Sequence, residues 1–258
     1  MSGDRLTAYI QHRQGEGKSN GTINRELSVL GTAYKLGLEH GKVMRRPIIH
    51  HLKEAAPRQG FFEEADFRAV RTHLPVDLRV AVTIMYTFGW RLDEVMGQRL
   101  AQADLGAGTL RLEPGTTKNR EGRVVYLTPE LELLLREQID RVIALSRTMG
   151  QLFPWLFTHL NGGYCGTPRR DFRTTWATAI KKAGLSGKLR HDFRRTAVRN
   201  MERAGVPRSV AMKIAGHKTE GIYRRYAIVC DADLQEATRK LMGTIPGTVR
   251  QIAVDCPS

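Results

Sequence analysis

The sequence predicts a mainly α-helical fold that carries one small antiparallel β-sheet, an α+β arrangement of helices around a hairpin. Apolar residues recur at three- and four-residue steps through most of the chain, whereas strict alternation is confined to one short pair of segments. The length sets the scale, since 258 residues with 41% hydrophobic content suffice for one large or two smaller cores.

Taken in order, Asp4 to Arg13 reads as a short helix that ends in a turn rich in Gly, Lys, Ser and Asn. Thr22 to Glu39 follows, with Ile23, Leu27, Leu30, Tyr34 and Leu38 forming one apolar stripe before Gly41 stops it. From Pro47 to Gly60 the pattern lapses into polar, basic sequence that reads as a linker. The expected organisation is therefore a partial helical domain over 1–50, a linker over 51–60 and a second domain over 61–258. That domain starts with helical sequence from Glu63 and an apolar helix from Asp77 to Phe88 that breaks at Gly89. Thr109 to Glu113 and Arg123 to Leu127 alternate with period two about a turn containing Pro, Gly and Asn, as a hairpin does. Pro129 begins a helix reaching about Ser146, and others are expected over Pro168 to Ala183, His191 to Ala204, Pro207 to Ala215 and Asp231 to Met242. No internal repeat and no low-complexity segment interrupts this order.

The charge balance narrows the choice of partner. Lys and Arg number 41 against 26 acidic residues, a net +15 that favours phosphate polymers or acidic surfaces. Lys188 to Arg225 holds eleven of those cations against only Asp192, Glu202 and Glu220, so about half of the net charge sits in one stretch. Cys165, Cys230 and Cys256 lie too far apart for a metal-ligand motif and suit a reducing compartment, so neither disulfide nor structural zinc is expected. No apolar run approaches the roughly 20 residues that cross a bilayer, and Met1 is followed by polar sequence. The expected setting is cytoplasmic.

Several residues in these segments can carry chemistry. His191 and Arg194 are three apart near a helix start, so both project from one face beside its positive end. Arg91 opens a short helix with Glu94 three residues on, Lys118 stands in the hairpin loop TTKNREGR, and Gly216-His217 follows an apolar helix. IYRRY supplies two tyrosines, Tyr223 and Tyr226. Taken singly, these read as a solvated basic helix, a capped turn, loop charge and a packed histidine. In order they make a series: Arg, hairpin Lys, His-x-x-Arg, Gly-His, and a tyrosine nine residues later.

That ordered series resembles the catalytic domain of the tyrosine recombinases, the phage integrase family, through Arg91, Lys118, His191, Arg194, His217 and Tyr226. The resemblance covers about Phe61 to Met242, and Gly21 to Pro47 resembles the end of the family's helical core-binding domain. With only about 50 residues before the linker, the chain is expected to begin partway through that domain. Trp90 stands where the family commonly has a smaller or aliphatic residue.

The chemistry explains the inventory independently. A tyrosine hydroxyl has an ordinary pKa near 10 and needs a base or a strong positive field to attack, which His191 and two arginines can supply. Charge then builds on the phosphate's non-bridging oxygens, where Arg91 and Arg194 offer planar paired donors in place of magnesium, and His217 adds a further hydrogen bond. No Walker motif and no cluster of carboxylates for a two-metal nuclease is present, so no cofactor or metal is expected. The resemblance assigns the general-acid role to Lys118, the nucleophile to Tyr226 with Tyr223 as its competitor, and an orienting role to Glu94. Arg195, Arg199, Lys213, Lys218, Arg224 and Arg225 are read as phosphate contacts or solvated charge.

The resemblance implies a site-specific recombinase that cuts and rejoins double-stranded DNA through a 3′-phosphotyrosyl link. It implies a homotetramer at synapsed sites, with the oligomeric state in free solution left open, as is a need for accessory DNA-bending proteins. A helix over Asp231 to Met242 would dock on a neighbouring protomer. Two alternatives stay open: DNA relaxation of the type IB topoisomerase kind, and a non-catalytic DNA-binding accessory protein.

Overall fold

The computed structural model describes residues 3–55, 60–115, 121–224, 226, 234–235 and 238–239. Lys118 and Arg225 lie outside the described residues, as does most of the helix expected over Asp231 to Met242, of which Leu234, Gln235, Thr238 and Arg239 are helical. The chain divides into two compact units, Met1–Gln59 and Gly60–Ser258.

In the first unit, α1 (Gly3–Gly15) and α2 (Asn20–Glu39) bury Leu6, Ile23 and Leu27 against one another. Ser19 caps α2, its hydroxyl accepting from the Thr22 amide at 3.3 Å. The pair is tied by Glu26, which accepts from Arg13 Nε at 3.0 Å and from the Tyr9 hydroxyl at 2.7 Å. The Asn24 amide then fixes the extended segment beyond α2, donating to the Leu52 carbonyl and accepting from the Leu52 amide, both at 2.8 Å.

The second unit runs α3 (Glu64–Thr72), α4 (Val76–Phe88), α5 (Leu92–Met96), β1 (Ala103–Asp104), β2 (Thr109–Leu112), β3 (Arg123–Tyr126), α6 (Pro129–Met149), α7 (Arg173–Lys182), α8 (Asp192–Arg203), α9 (Arg208–Ala215) and α10 (Glu220–Arg224). α4 is buried on nearly every side, which is why its sequence is apolar all round; it packs against α6 and α8 at the centre of the unit. Phe62, Phe67, Trp176 and Phe193 interlock beside it, with Phe193 on α8 meeting Phe62 at 4.5 Å and Trp176 edge-on at 5.3 Å between ring centroids. This core fixes α8, whose N-cap and first turn carry His191 and Arg194.

The sheet has order β1-β2-β3 and is antiparallel throughout, with Thr109 opposite Tyr126 and Leu112 opposite Arg123. Leu110, Leu112 and Val125 face the core while Val124 and Tyr126 face outward, the alternation read from the sequence. β1 escapes that reading because two residues are too short to show a period. The helix expected from Pro168 begins instead at Arg173: Pro168 bridges Thr158, and the Arg169 amide donates to the Phe157 carbonyl at 2.8 Å, so this stretch is extended. A second correction concerns Arg199, which is no solvated or phosphate-facing cation. It is buried, donating to the Glu63 carboxylate at 2.7 Å and the Phe62 carbonyl at 3.1 Å, and so ties α8 to the segment entering α3. Lys218 and Arg224 are exposed and paired, with Glu121 at 3.5 Å and Glu220 at 3.1 Å. Among the described residues no helix is long and apolar enough to cross a membrane.

Candidate active site

Two helix C-termini and one helix N-terminus converge to build the site. α4 ends at Gly89 and α9 at Gly216, both left-handed (φ +68° and +69°), and each leaves carbonyls with no helical partner. Arg194, on the first turn of α8, fills both ends: Nη1 donates to Gly89 O at 2.5 Å and Ala215 O at 2.6 Å, while Nη2 reaches Gly216 O at 3.4 Å. Its side chain is only 2% exposed. Burial, then the neighbouring Arg91, pushes its pKa down to about 10, which leaves it charged at neutral pH.

His191 stands at the N-cap of α8. The preceding turn is held by the buried Asp192, whose carboxylate accepts from the Leu189 amide at 2.8 Å. Burial, then Arg194 and Arg195, holds the His191 pKa below its ordinary value, so the ring is neutral near pH 7 and can accept a proton. Its Nε2 lies 3.3 Å from the Tyr226 hydroxyl. Tyr226 is itself positioned by stacking: its ring lies against His217 at 4.8 Å and 25°, and the Arg194 guanidinium sits 5.5 Å from its centroid.

His217 follows Gly216 and is 6% exposed, with neither ring nitrogen hydrogen-bonded to any described residue. Burial and then Arg194, Arg91 and Arg123 drive its pKa down to about 3. A buried neutral imidazole without a partner is costly unless something arrives to bond it. Arg91 is the most open of the site's cations, at 29% side-chain exposure. The Glu94 carboxylate caps α5 by accepting from the Arg91 amide and from Arg91 Nη1, each at 2.9 Å.

Five of the six expected residues therefore meet, and the sixth, Lys118, lies outside the described residues. Tyr223 is excluded from the cluster's open side: it is fully buried among α8 and α9, and burial followed by Glu202 pushes its pKa up to about 12. Arg123 is a member that the sequence did not disclose. It is buried on β3, donates to Glu94 at 2.7 Å and lies over the Trp90 ring at 5.6 Å. Trp90 in turn donates from its indole nitrogen to Ile214 O at 3.0 Å, so the bulky residue at this position locks α9 beside α5.

The model of the phage integrase family matches residues 63–232 of this chain, about two thirds of it and every described site residue. The chain belongs to the phage integrase family, the tyrosine-type site-specific DNA recombinases. Solved structures share its fold at low identity. XerA recombinase is 18% identical with a TM-score of 0.59, over 92% of this chain and 98% of that one. The Tn1549 transposon integrase in complex with a circular intermediate DNA is 16% identical with a TM-score of 0.71, over 92% and 84%. A lambda integrase tetramer bound to a Holliday junction is 14% identical with a TM-score of 0.67, over 88% and 65%. No curated protein matches the sequence significantly.

Two expectations follow for this integrase-family site. A methyl group at Gly216 would fall 1.9 Å from Arg123 Nη1, and the left-handed backbone there costs a side chain about 1–2 kcal/mol on its own. Gly216→Ala is expected to lower the melting temperature by several degrees, at about 2–4 °C per kcal/mol for a unit of this size, and to slow DNA cleavage more than about tenfold. Calorimetry with single-turnover cleavage checks both. The second concerns acid. The His217 pKa is depressed in the folded chain, so below pH 6.5 the unfolded state takes up a proton the folded state refuses, and stability falls as pH drops through the window from 6.5 towards about 3. His217→Gln should flatten the loss of melting temperature between pH 6.5 and 5, where carboxylates scarcely titrate. An identical slope in both proteins would rule the assignment out.

Proposed function

We propose that this chain cuts and rejoins double-stranded DNA through a 3′-phosphotyrosyl intermediate, without metal or ATP. The Tyr226 hydroxyl oxygen attacks the scissile phosphorus while its proton passes to His191 Nε2. Arg91, Arg194 and His217 donate to the non-bridging oxygens as charge builds there. The phosphorus–O5′ bond breaks, and O5′ takes a proton from Lys118, leaving a free 5′ hydroxyl and the DNA 3′ end esterified to Tyr226. Attack by a 5′ hydroxyl of another strand reverses each transfer and reseals the backbone, so the ester conserves the bond energy.

The observation that carries this reading is the 3.3 Å approach of the Tyr226 hydroxyl to a neutral His191 beside a buried, charged Arg194. A nucleophile, a base and an anion donor lie within one cluster. The exposed basic residues around it suit the phosphate backbone of a duplex, and the lambda integrase tetramer on a Holliday junction supports a four-protomer assembly on paired sites.

Incubation with nicked suicide duplexes carrying candidate attachment sites should trap a denaturation-resistant protein–DNA adduct in the presence of EDTA. Peptide mapping should place the linked 3′ phosphate on Tyr226. Linkage to another residue, or a requirement for a divalent ion, defeats the reading, and a paired-site assay separates strand exchange from relaxation.

A further inference from the structure

Arg123 is a buried guanidinium to which the strand-cleavage reaction above gives no part. It is 8% exposed, on the inward face of β3 at the loop end of the hairpin, where the apolar run of Leu110, Leu112 and Val125 stops. Its surroundings belong to two different parts of the site. On one side Nη2 donates to Glu94 Oε1 at 2.7 Å, the same oxygen that accepts from Arg91 Nη1 at 2.9 Å, and the guanidinium lies over Trp90. On the other it packs against the α-carbon of Gly216, the residue before His217, so closely that a β-carbon there would fall 1.9 Å from Nη1.

Stability alone is a poor account of this placement. Burial is the largest influence on Arg123 and disfavours its charge, with Glu94 only partly opposing it. Buried ion pairs are commonly replaceable by apolar residues at no loss of stability. What an apolar side chain cannot do is divide the Glu94 carboxylate. With Arg123 present, one carboxylate serves two guanidiniums; without it, Glu94 faces Arg91 alone and cancels its charge. Nη1 moreover has no hydrogen-bond partner among the described residues, so the group fills the space against Gly216 rather than saturating its own donors.

We propose that Arg123 is a positioning residue for strand cleavage: through Glu94 and Gly216 it holds Arg91 and His217 in fixed relation and, by sharing the Glu94 carboxylate, leaves the positive field of Arg91 less offset where the phosphate binds. This rests on reading the site as a phosphotyrosyl centre. It makes no contact with the reacting atoms itself, and its effect is exerted on residues that do.

The test uses the full chain and a nicked suicide duplex. Arg123→Met is expected to lower single-turnover cleavage about 10–100-fold, the scale of a small misplacement of catalytic groups, with DNA affinity within about threefold. Arg123→Lys, which keeps the charge, should recover most of that loss. In a Glu94→Gln background, with no carboxylate left to cancel Arg91, the Arg123→Met penalty should shrink at least about fivefold, the signature of coupled residues. Arg123→Gln is measured alongside, so that a folding defect in one variant leaves the other. An NMR titration of His217 in the DNA-free protein should show its midpoint moving upward in either variant, since a cation beside it is gone. Wild-type cleavage by the Met and Gln variants, an equal penalty in both Glu94 backgrounds, or an unmoved His217 overturns the proposal. If wild type forms no tyrosine-linked adduct, the failure belongs to the cleavage reading, and the His217 titration still decides the place of Arg123.

Discussion

Tyr226→Phe is expected to abolish the covalent protein–DNA adduct, a loss of at least about 10⁴-fold of the kind seen when a covalent nucleophile is deleted. The substitution removes one oxygen and little else. The ring keeps its stacking on His217 at 4.8 Å and its place 5.5 Å from the Arg194 guanidinium, so melting temperature and DNA affinity should stay near wild type. Only the hydroxyl 3.3 Å from His191 Nε2 is gone. Tyr223→Phe makes the matched control. Its hydroxyl is buried in the α8–α9 core with a pKa pushed up to about 12, so the phenolate is remote at neutral pH and the variant should form adduct at close to the wild-type rate. Suicide-substrate trapping of both variants on one gel decides the matter. Adduct from Tyr226→Phe, or its loss from Tyr223→Phe, would transfer the nucleophile to the other tyrosine.

The two tyrosines also show what could be read from the sequence. The nine-residue step from His217 to Tyr226 carries weight through the resemblance to the family, and Tyr226 is the one whose hydroxyl lies 3.3 Å from His191 Nε2. Three residues apart, Tyr223 and Tyr226 would share a face on one continuous helix, but α10 ends at Arg224 and Tyr226 lies in the turn beyond it, so the two residues part. His191 and Arg194 were legible for a local reason, a three-residue step at a helix start. Their partners were not. Gly89 and Gly216 lie 105 and 22 residues from Arg194, and no periodicity indicates that two C-caps will meet over one guanidinium.

Arg123 and Arg199 mark the same boundary from opposite sides. Arg123 reads only as the polar first residue of a strand, and in a basic helix Arg199 looks like a phosphate contact. Both are buried by tertiary approach, Arg123 under the end of α9 and Arg199 against Glu63, 136 residues away. Charge density in the sequence thus overstated the exposed charge of α8 and understated the site's internal positive charge. Hydrophobic pattern served better for the scaffold: the apolar-all-round α4 and the alternating hairpin both form as expected, because burial on all sides or on one face leaves a period that composition cannot hide.

Arg194→Lys should lower cleavage by about 100–1,000-fold, the usual effect of losing one preorganised donor to a developing oxyanion, and should also weaken the fold. The two effects share a cause. The planar fork reaches Gly89 O and Ala215 O through one nitrogen and Gly216 O through the other, whereas a single ammonium nitrogen on a shorter, flexible side chain cannot satisfy both C-caps and face the phosphate as well. Each buried carbonyl left without a donor costs about 1–3 kcal/mol, so a fall in melting temperature on the order of 10 °C is expected. Chemistry and folding separate by temperature. At 10 °C circular dichroism should show both proteins folded, and the cleavage deficit should persist there in full, since it reflects where the positive charge sits rather than how much protein is native. Recovery to within tenfold of wild type at 10 °C would make Arg194 a structural clamp alone and leave Arg91 and His217 to carry the phosphate charge.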